Sequence, residues 1–148
     1  MKYLYALISI FFSYTMYSQS YEYIKKLDTL YIPFREGKFD SKVNYPPEKN
    51  GFKNREYTFK DKKNNNKFYF ELDRNKISEN MKVNKSFLRK NKRNIIKIND
   101  LKKFNYQDVA CDLFNRLKII YIVDFSEKKD KGIMLYRVMS LNLCYVKE

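Results

Sequence analysis

Residues 105–146 read NYQDVACDLFNRLKIIYIVDFSEKKDKGIMLYRVMSLNLCYV, and the fold turns on how this stretch divides. Its first part carries the marks of a helix. Asn105 is a strong N-cap, and Asp108 three residues later sets a carboxylate against the free N–H groups and the positive helix end. Phe104 and Val109 stand at the spacing of a hydrophobic staple. Val109, Ala110, Leu113, Phe114 and Leu117 form one apolar stripe, and Asp112 and Arg116 are an i,i+4 pair on the other side.

After Lys118 the period changes. Ile119 to Phe125 is rich in β-branched and aromatic residues, which predicts a strand buried on both faces. Ser126 to Gly132 reads as a charged turn, with Gly132 available for positive φ. Ile133 to Val138 returns as the partner strand, and Leu141 to Val146 either continues it or forms another. A helix followed by a hairpin is the expected core.

Upstream, Ile95, Ile96 and Ile98 suggest a brief strand leading through residues 99–104 into the capped helix. Residues 75–94 are the most charged stretch. Ile77 and Met81 stand at i,i+4 spacing for a short helix, and Asn84 is a candidate cap for a second turn. Residues 55–73 are the cleanest hairpin. Tyr57 and Phe59 share one face, Phe68, Phe70 and Leu72 share one face of the return strand, and the Asn-rich turn tolerates left-handed backbone. Residues 35–54 show no period and read as a long surface loop. Leu30, Ile32 and Phe34 alternate with Thr29, Tyr31 and Pro33. Pro33 cannot donate to a ladder, so that strand belongs at an edge. Residues 21–27 are a polar lead-in with room for a helical turn.

Residues 1–20 resemble a secretory signal peptide. Lys2 is the positive start, residues 3–17 are apolar, and Ser18-Gln19-Ser20 supplies small residues for cleavage. Ser9, Ser13, Tyr14 and Thr15 interrupt the run, which is shorter than the ~20 apolar residues of a spanning helix. The expected organisation is therefore a leader over 1–20 and one globular domain over 21–148, secreted or periplasmic, with no transmembrane segment after the leader. The expected fold is α+β, an antiparallel sheet of about five to seven strands with one main helix across one face. A β-sandwich is the alternative.

The chain has 148 residues, 44% hydrophobic and 18% aromatic, with 31 Lys and Arg against 17 Asp and Glu for a formal charge of +14. That length suffices for one core. Lys, Asn, Ile, Tyr and Phe, all with AT-rich codons, are abundant, so the basicity reads either as codon drift or as a functional charge. The absence of His removes Ser-His and Cys-His pairs and imidazole ligands. Ser126 to Lys129 spells S-x-x-K but lies in an expected turn, without the partner motifs of the enzymes that use it. Asp108 and Asp112 are better read as cap and ion-pair partner than as a cation site. Asp124, Glu127 and Asp130 sit beside Lys128, Lys129 and Lys131, which argues for solvated charge. No metal site and no cofactor are expected. Asn84-Lys85-Ser86 is a formal glycosylation sequence.

Two features remain. Cys111 and Cys144 are an even pair behind an export signal, so they are candidates for a disulfide between the helix and the last strand, or else two buried thiols. Lys82, Lys85, Arg89, Lys90, Lys92 and Arg93 crowd around Phe87 and Leu88. Such a cluster either neutralises a polyanion while the aromatic stacks or wedges, or is a solvated face. The expected function is a non-enzymatic envelope domain binding an anionic or protein partner. The anion could be a glycan, a lipid head group or extracellular nucleic acid. The alternatives are a small secreted hydrolase working through carboxylates and a component of a surface or secretion assembly. A concave pocket with converging Asp or Glu would mark the enzyme, a basic or aromatic face the binding module, and a long open edge at Leu30–Phe34 the assembly component.

Overall fold

A computed structural model describes residues 21–38, 41–47, 54–60, 65–115, 117–127, 132–142 and 144. Among these, seven strands form one sheet. They are β1 (Thr29–Phe34), β2 (Ser41–Asn44), β3 (Glu56–Lys60), β4 (Lys67–Leu72), β5 (Met81–Val83), β6 (Ile119–Asp124) and β7 (Ile133–Ser140). The order is β1-β6-β7-β4-β3-β2, with β5 also paired to β7. The fold is thus mixed α/β around a single open sheet, not a sandwich. Every strand pair is antiparallel except β1 and β6, which run parallel. A parallel pair needs a long crossover, and residues 35–118 supply it. Apolar alternation is blind to strand direction, so the sequence suggested antiparallel pairing throughout.

Several local elements agree with the sequence pattern. The 55–73 hairpin is β3 and β4, with Tyr57 opposite Phe70 and Phe59 opposite Phe68. Asn65 in its turn takes φ 53°, while residues 61–64 lie outside the described residues. Strand β1 is at an edge. The Asn105 carboxamide caps as expected, accepting from the N–H groups of Gln107 at 2.8 Å and Asp108 at 3.4 Å.

The main helix is the largest departure. It is a three-residue α-turn, Tyr106–Asp108, continued by a π-helical turn, Val109–Leu113. Phe114 N–H donates back to Val109 O at 3.1 Å. Then Asn115 stops it. Its side chain donates to Asp112 O and accepts from Leu117 N–H, both at 3.0 Å, which offers the backbone a local alternative to another helical turn. Leu117 is left 91% exposed, outside the stripe. Asp112 pairs with Lys25 at 2.8 Å; Arg116, its expected partner, lies outside the described residues.

Other elements also shift. The 35–54 loop contains β2, whose inward residues Ser41 and Val43 are too few to show a period. Ile95 makes only an isolated bridge to Tyr31, and Ile98 opens a short helix, Ile98–Leu101. Ile77 lies in a 3₁₀ segment, Arg74–Glu79, while Met81 is on β5. Strand β7 ends at Ser140, so Cys144 is not on a strand. Gly132 does not take positive φ; Gly37 does, at 72°. A Cβ at Gly132 would instead overlap the aliphatic stem of Lys82.

Strand alternation sorts the core onto two faces. On the main face Leu30, Ile32, Phe34, Tyr57, Phe59, Phe68, Phe70, Ile120, Ile122 and Val138 are buried. The first helix, α1 (residues 21–26), covers it through Ile24, the 98–101 helix through Ile98 and Leu101, and the π-turn through Val109, Leu113 and Phe114. Edge-to-face ring contacts, such as Phe70–Phe114 at 4.9 Å and Phe34–Tyr57 at 4.8 Å, fix these layers in register. The other face holds a smaller cluster, Tyr31, Val83, Tyr121, Val123 and Leu135, under Phe87 and Leu88.

Candidate functional site

Phe87 and Leu88 belong to the helix Lys85–Lys90, here α2. Asn84 caps it as expected, its side-chain oxygen accepting from Phe87 N–H at 2.9 Å. The glycosylation sequence therefore has its asparagine amide engaged in the cap. Between α2 and the sheet lies a cleft of about 820 Å³ lined by Arg35, Lys85, Leu88, Asp124, Phe125, Glu127, Gly132 and Ile133.

The parallel pair shapes this cleft. Strands β1 and β6 leave the sheet side by side, and two hydrogen bonds hold their exits together. Phe125 N–H donates to Phe34 O at 3.0 Å, and Glu36 N–H donates to Ser126 Oγ at 2.8 Å. Arg35 and Phe125 are thereby brought together, with the guanidinium 5.8 Å from the ring centroid, a cation–π distance. Leu88, Phe125 and Ile133 are the apolar walls.

The two carboxylates are held by the protein itself. Asp124, 1% exposed, accepts from Ser126 N–H at 2.8 Å and from Tyr57 O–H at 3.3 Å. Burial pushes its carboxyl above the ordinary range, against the pull of those donors. Glu127 pairs with Arg55 at 2.7 Å and accepts from Tyr136 O–H. Arg55 also lies over the Tyr136 ring, 4.2 Å from its centroid. Burial alone would lower the Arg55 guanidinium, but Glu127, Tyr57 and Tyr136 together more than restore it. Burial likewise raises the phenols of Tyr57 and Tyr136. The Arg35 and Lys85 side chains, by contrast, form no ion pair among the described residues.

The six basic residues picked out in the sequence are all exposed. Lys82 is on β5, Lys85, Arg89 and Lys90 are on α2, and Lys92 and Arg93 are in the 3₁₀ turn Lys92–Asn94. Of these, Lys85 lines the cleft, and the Lys82 stem lies against Gly132 at its border. Phe87 is not free to wedge. It packs edge-on against Tyr31 at 5.6 Å and helps roof the second cluster. Sequence reasoning missed Arg35, Phe125 and Ile133 as neighbours of this cluster. Nothing local marks them, because a crossover of some ninety residues joins Arg35 to Phe125.

A second hollow, of about 690 Å³, lies on the outer face of β2 and β3 and includes Lys42, Asn44, Thr58, Lys60 and Lys67. It is basic as well, but among the described residues that line it Val43 is the one large apolar residue. Among the described residues no group of acidic and Cys side chains is placed to hold a metal. Ser126 has its Oγ engaged by Glu36 N–H, and Lys128, Lys129, Asp130 and Lys131 lie outside the described residues. The β1 edge is covered at its start. Asn94 donates a side-chain N–H to Thr29 O, and Ile96 N–H donates to Tyr31 O, both at 2.9 Å.

Cys111 and Cys144 are bonded. The bond ties the segment after β7 to the π-turn and closes 33 residues of sequence separation, a constraint worth about 3–4 kcal/mol on chain entropy. No helix among the described residues is long and apolar enough to cross a membrane. Compared with known protein families, curated proteins and solved structures, the chain matches none.

Proposed function

We propose that this protein is a non-enzymatic domain working outside the cytoplasm, secreted or periplasmic, and that it binds an anionic partner along α2 and the adjoining cleft. The Cys111–Cys144 bond supports the compartment, because disulfides persist where the surroundings are oxidising. One observation carries the binding reading. At the cleft the carboxylates are already satisfied by Arg55, Tyr136, Tyr57 and a turn amide, whereas Arg35 and Lys85 have no carboxylate partner among the described residues. The charge left over for a ligand is positive. Arg89, Lys90, Lys92 and Arg93 extend it along one exposed surface.

The test is the salt dependence of binding to dextran sulfate. Each neutralised charge releases a counterion, so affinity falls steeply with salt. Lys85→Glu with Arg89→Glu abolishes salt-sensitive binding, while Lys42→Glu with Lys67→Glu, across the sheet, barely alters it. Equal losses from the two pairs would defeat a localised face and leave only diffuse charge.

A small hydrolase is the second reading, and the raised Asp124 beside Glu127 is what favours it, since such shifts mark general acids. Against it, both carboxylates at the cleft serve the protein's own donors, Asp124 those of Ser126 and Tyr57 and Glu127 those of Arg55 and Tyr136. The assembly reading needs an open β1 edge, which residues 94–96 cover at Thr29 and Tyr31.

A further inference from the structure

The cleft is not built for a polyanion alone. A polymer backbone is recognised on a convex or grooved surface by rows of cations, and Arg89, Lys90, Lys92 and Arg93 would suffice for that. The cleft instead sets two cations at a recess walled by Leu88, Phe125 and Ile133. Its volume, about 820 Å³, falls within the range of small-molecule sites, which combine mostly apolar walls with a few placed polar groups.

We infer that the cleft takes a single-chain anionic amphiphile, with a compact carboxylate, sulfate or phosphate head at Arg35 and Lys85 and an alkyl chain against Leu88, Phe125 and Ile133. This deepens the anion-binding reading above and rests on it. Arg35 is suited to the head because its guanidinium is held over Phe125, so less freedom is lost when it engages an oxyanion. Lys85 is exposed at the start of α2 and reaches the same recess. Asp124 and Glu127 do not repel the head as bare charges would. Asp124 is buried and accepts from Ser126 N–H and Tyr57 O–H, and Glu127 is paired with Arg55. Gly132 matters for shape. With no Cβ it lets the Lys82 stem lie across the border of the cleft, adding methylene surface beside Ile133, as long cationic side chains do when they cover apolar ground. The hollow over β2 and β3, basic but without such walls among the described residues, serves as the internal contrast.

The probe is laurate, titrated calorimetrically below its micelle concentration into the full chain, with decanoate, octanoate and acetate as shorter arms. Affinity rises about three- to fourfold per added methylene along the series, and acetate does not bind measurably. Lys85→Ala and Arg35→Gln, both on exposed side chains, each weaken laurate about tenfold, and Lys42→Ala leaves it unchanged. A neutral alkyl glycoside of equal chain length binds more weakly than laurate. Phosphatidylglycerol vesicles test the source of the head group. Vesicle binding without monomer binding would overturn the inference in favour of a membrane surface. A flat chain-length series, or laurate affinity indifferent to both Lys85→Ala and Arg35→Gln, would also overturn it. Dextran sulfate binding separates the two readings. If it persists and depends on α2 while laurate fails, the amphiphile falls and the polyanion face stands.

Discussion

One face of the sheet carries Leu30, Ile32, Phe34, Tyr57, Phe59, Phe70 and Ile122, all buried, under three separate helical segments. The other carries five buried residues under α2, with Lys42, Thr58, Lys60 and Tyr69 of β2 to β4 left without a cover. The difference separates two tasks. The first face supplies most of the apolar burial on which a domain of this size depends. The second is relieved of that duty, and the gap beside α2 is where the cleft opens.

The largest expected effect tests this division directly. Leu113 is fully buried in the main cluster, so Leu113→Ala costs about 2–5 kcal/mol, because the surrounding side chains only partly close the space. Leu88 is half-buried over the second cluster, and Leu88→Ala costs only about 1 kcal/mol. Urea midpoints of the two variants, read with their slopes, decide it. Equal costs would mean that both faces carry the fold alike.

The two faces also differed in how plainly the sequence announced them. The main face came from long alternations, Tyr57-x-Phe59 answered by Phe68-x-Phe70-x-Leu72, and from the apolar run at β6. Those patterns are local and survive tertiary context. Pro33 placed β1 at an edge because a missing N–H is a property of the residue itself. Asn84 and Asn105 announced their caps for the same kind of reason. What stayed hidden depends on residues far apart. The parallel pairing of β1 with β6, which brings Arg35 to Phe125, has no local mark. Nor does the Arg55–Glu127 pair, whose members are 72 residues apart. Strand β2 offers only Ser41 and Val43 as inward positions, one of them polar, so its alternation could not be told from a loop. The basic cluster was visible as composition, but its meaning depends on which of its members borders the cleft.

A smaller effect comes from the place where the faces meet. Asp124 ends β6 on the main-face side, and its carboxyl is raised by burial. A carboxyl with a folded pKa above its unfolded value binds more protons when folded. The native state therefore loses stability as pH rises from the ordinary carboxylate range through the raised pKa. Asp124→Asn keeps an oxygen to accept from Ser126 N–H and has no charge to bury. Its stability relative to the parent therefore improves as pH rises from the ordinary carboxylate range through the raised pKa. Denaturant midpoints of both proteins across that interval check the sign. A constant difference would show that Asp124 is no more protonated in the folded state than in the unfolded one.

The smallest expected effect is at Leu117, which lies outside both faces. Helical spacing from Val109, Leu113 and Phe114 puts Leu117 on the buried stripe, and on that arrangement Leu117→Ala would cost as much as Leu113→Ala. The helix instead ends at Leu113, because the Asn115 side chain bonds both the carbonyl behind it and the N–H ahead. Leu117 is turned out to 91% exposure, so its loss leaves no cavity. Leu117→Ala then falls within about 0.5 kcal/mol of the parent. Asn115→Leu probes the cause. It removes the competing side chain and leaves Asp112 O and Leu117 N–H without their partner, so it destabilises, by about 1 kcal/mol, where Leu117→Ala does not. If Leu117→Ala instead proves as costly as Leu113→Ala, the helix continues through residue 117 in solution and the main face is wider by one turn.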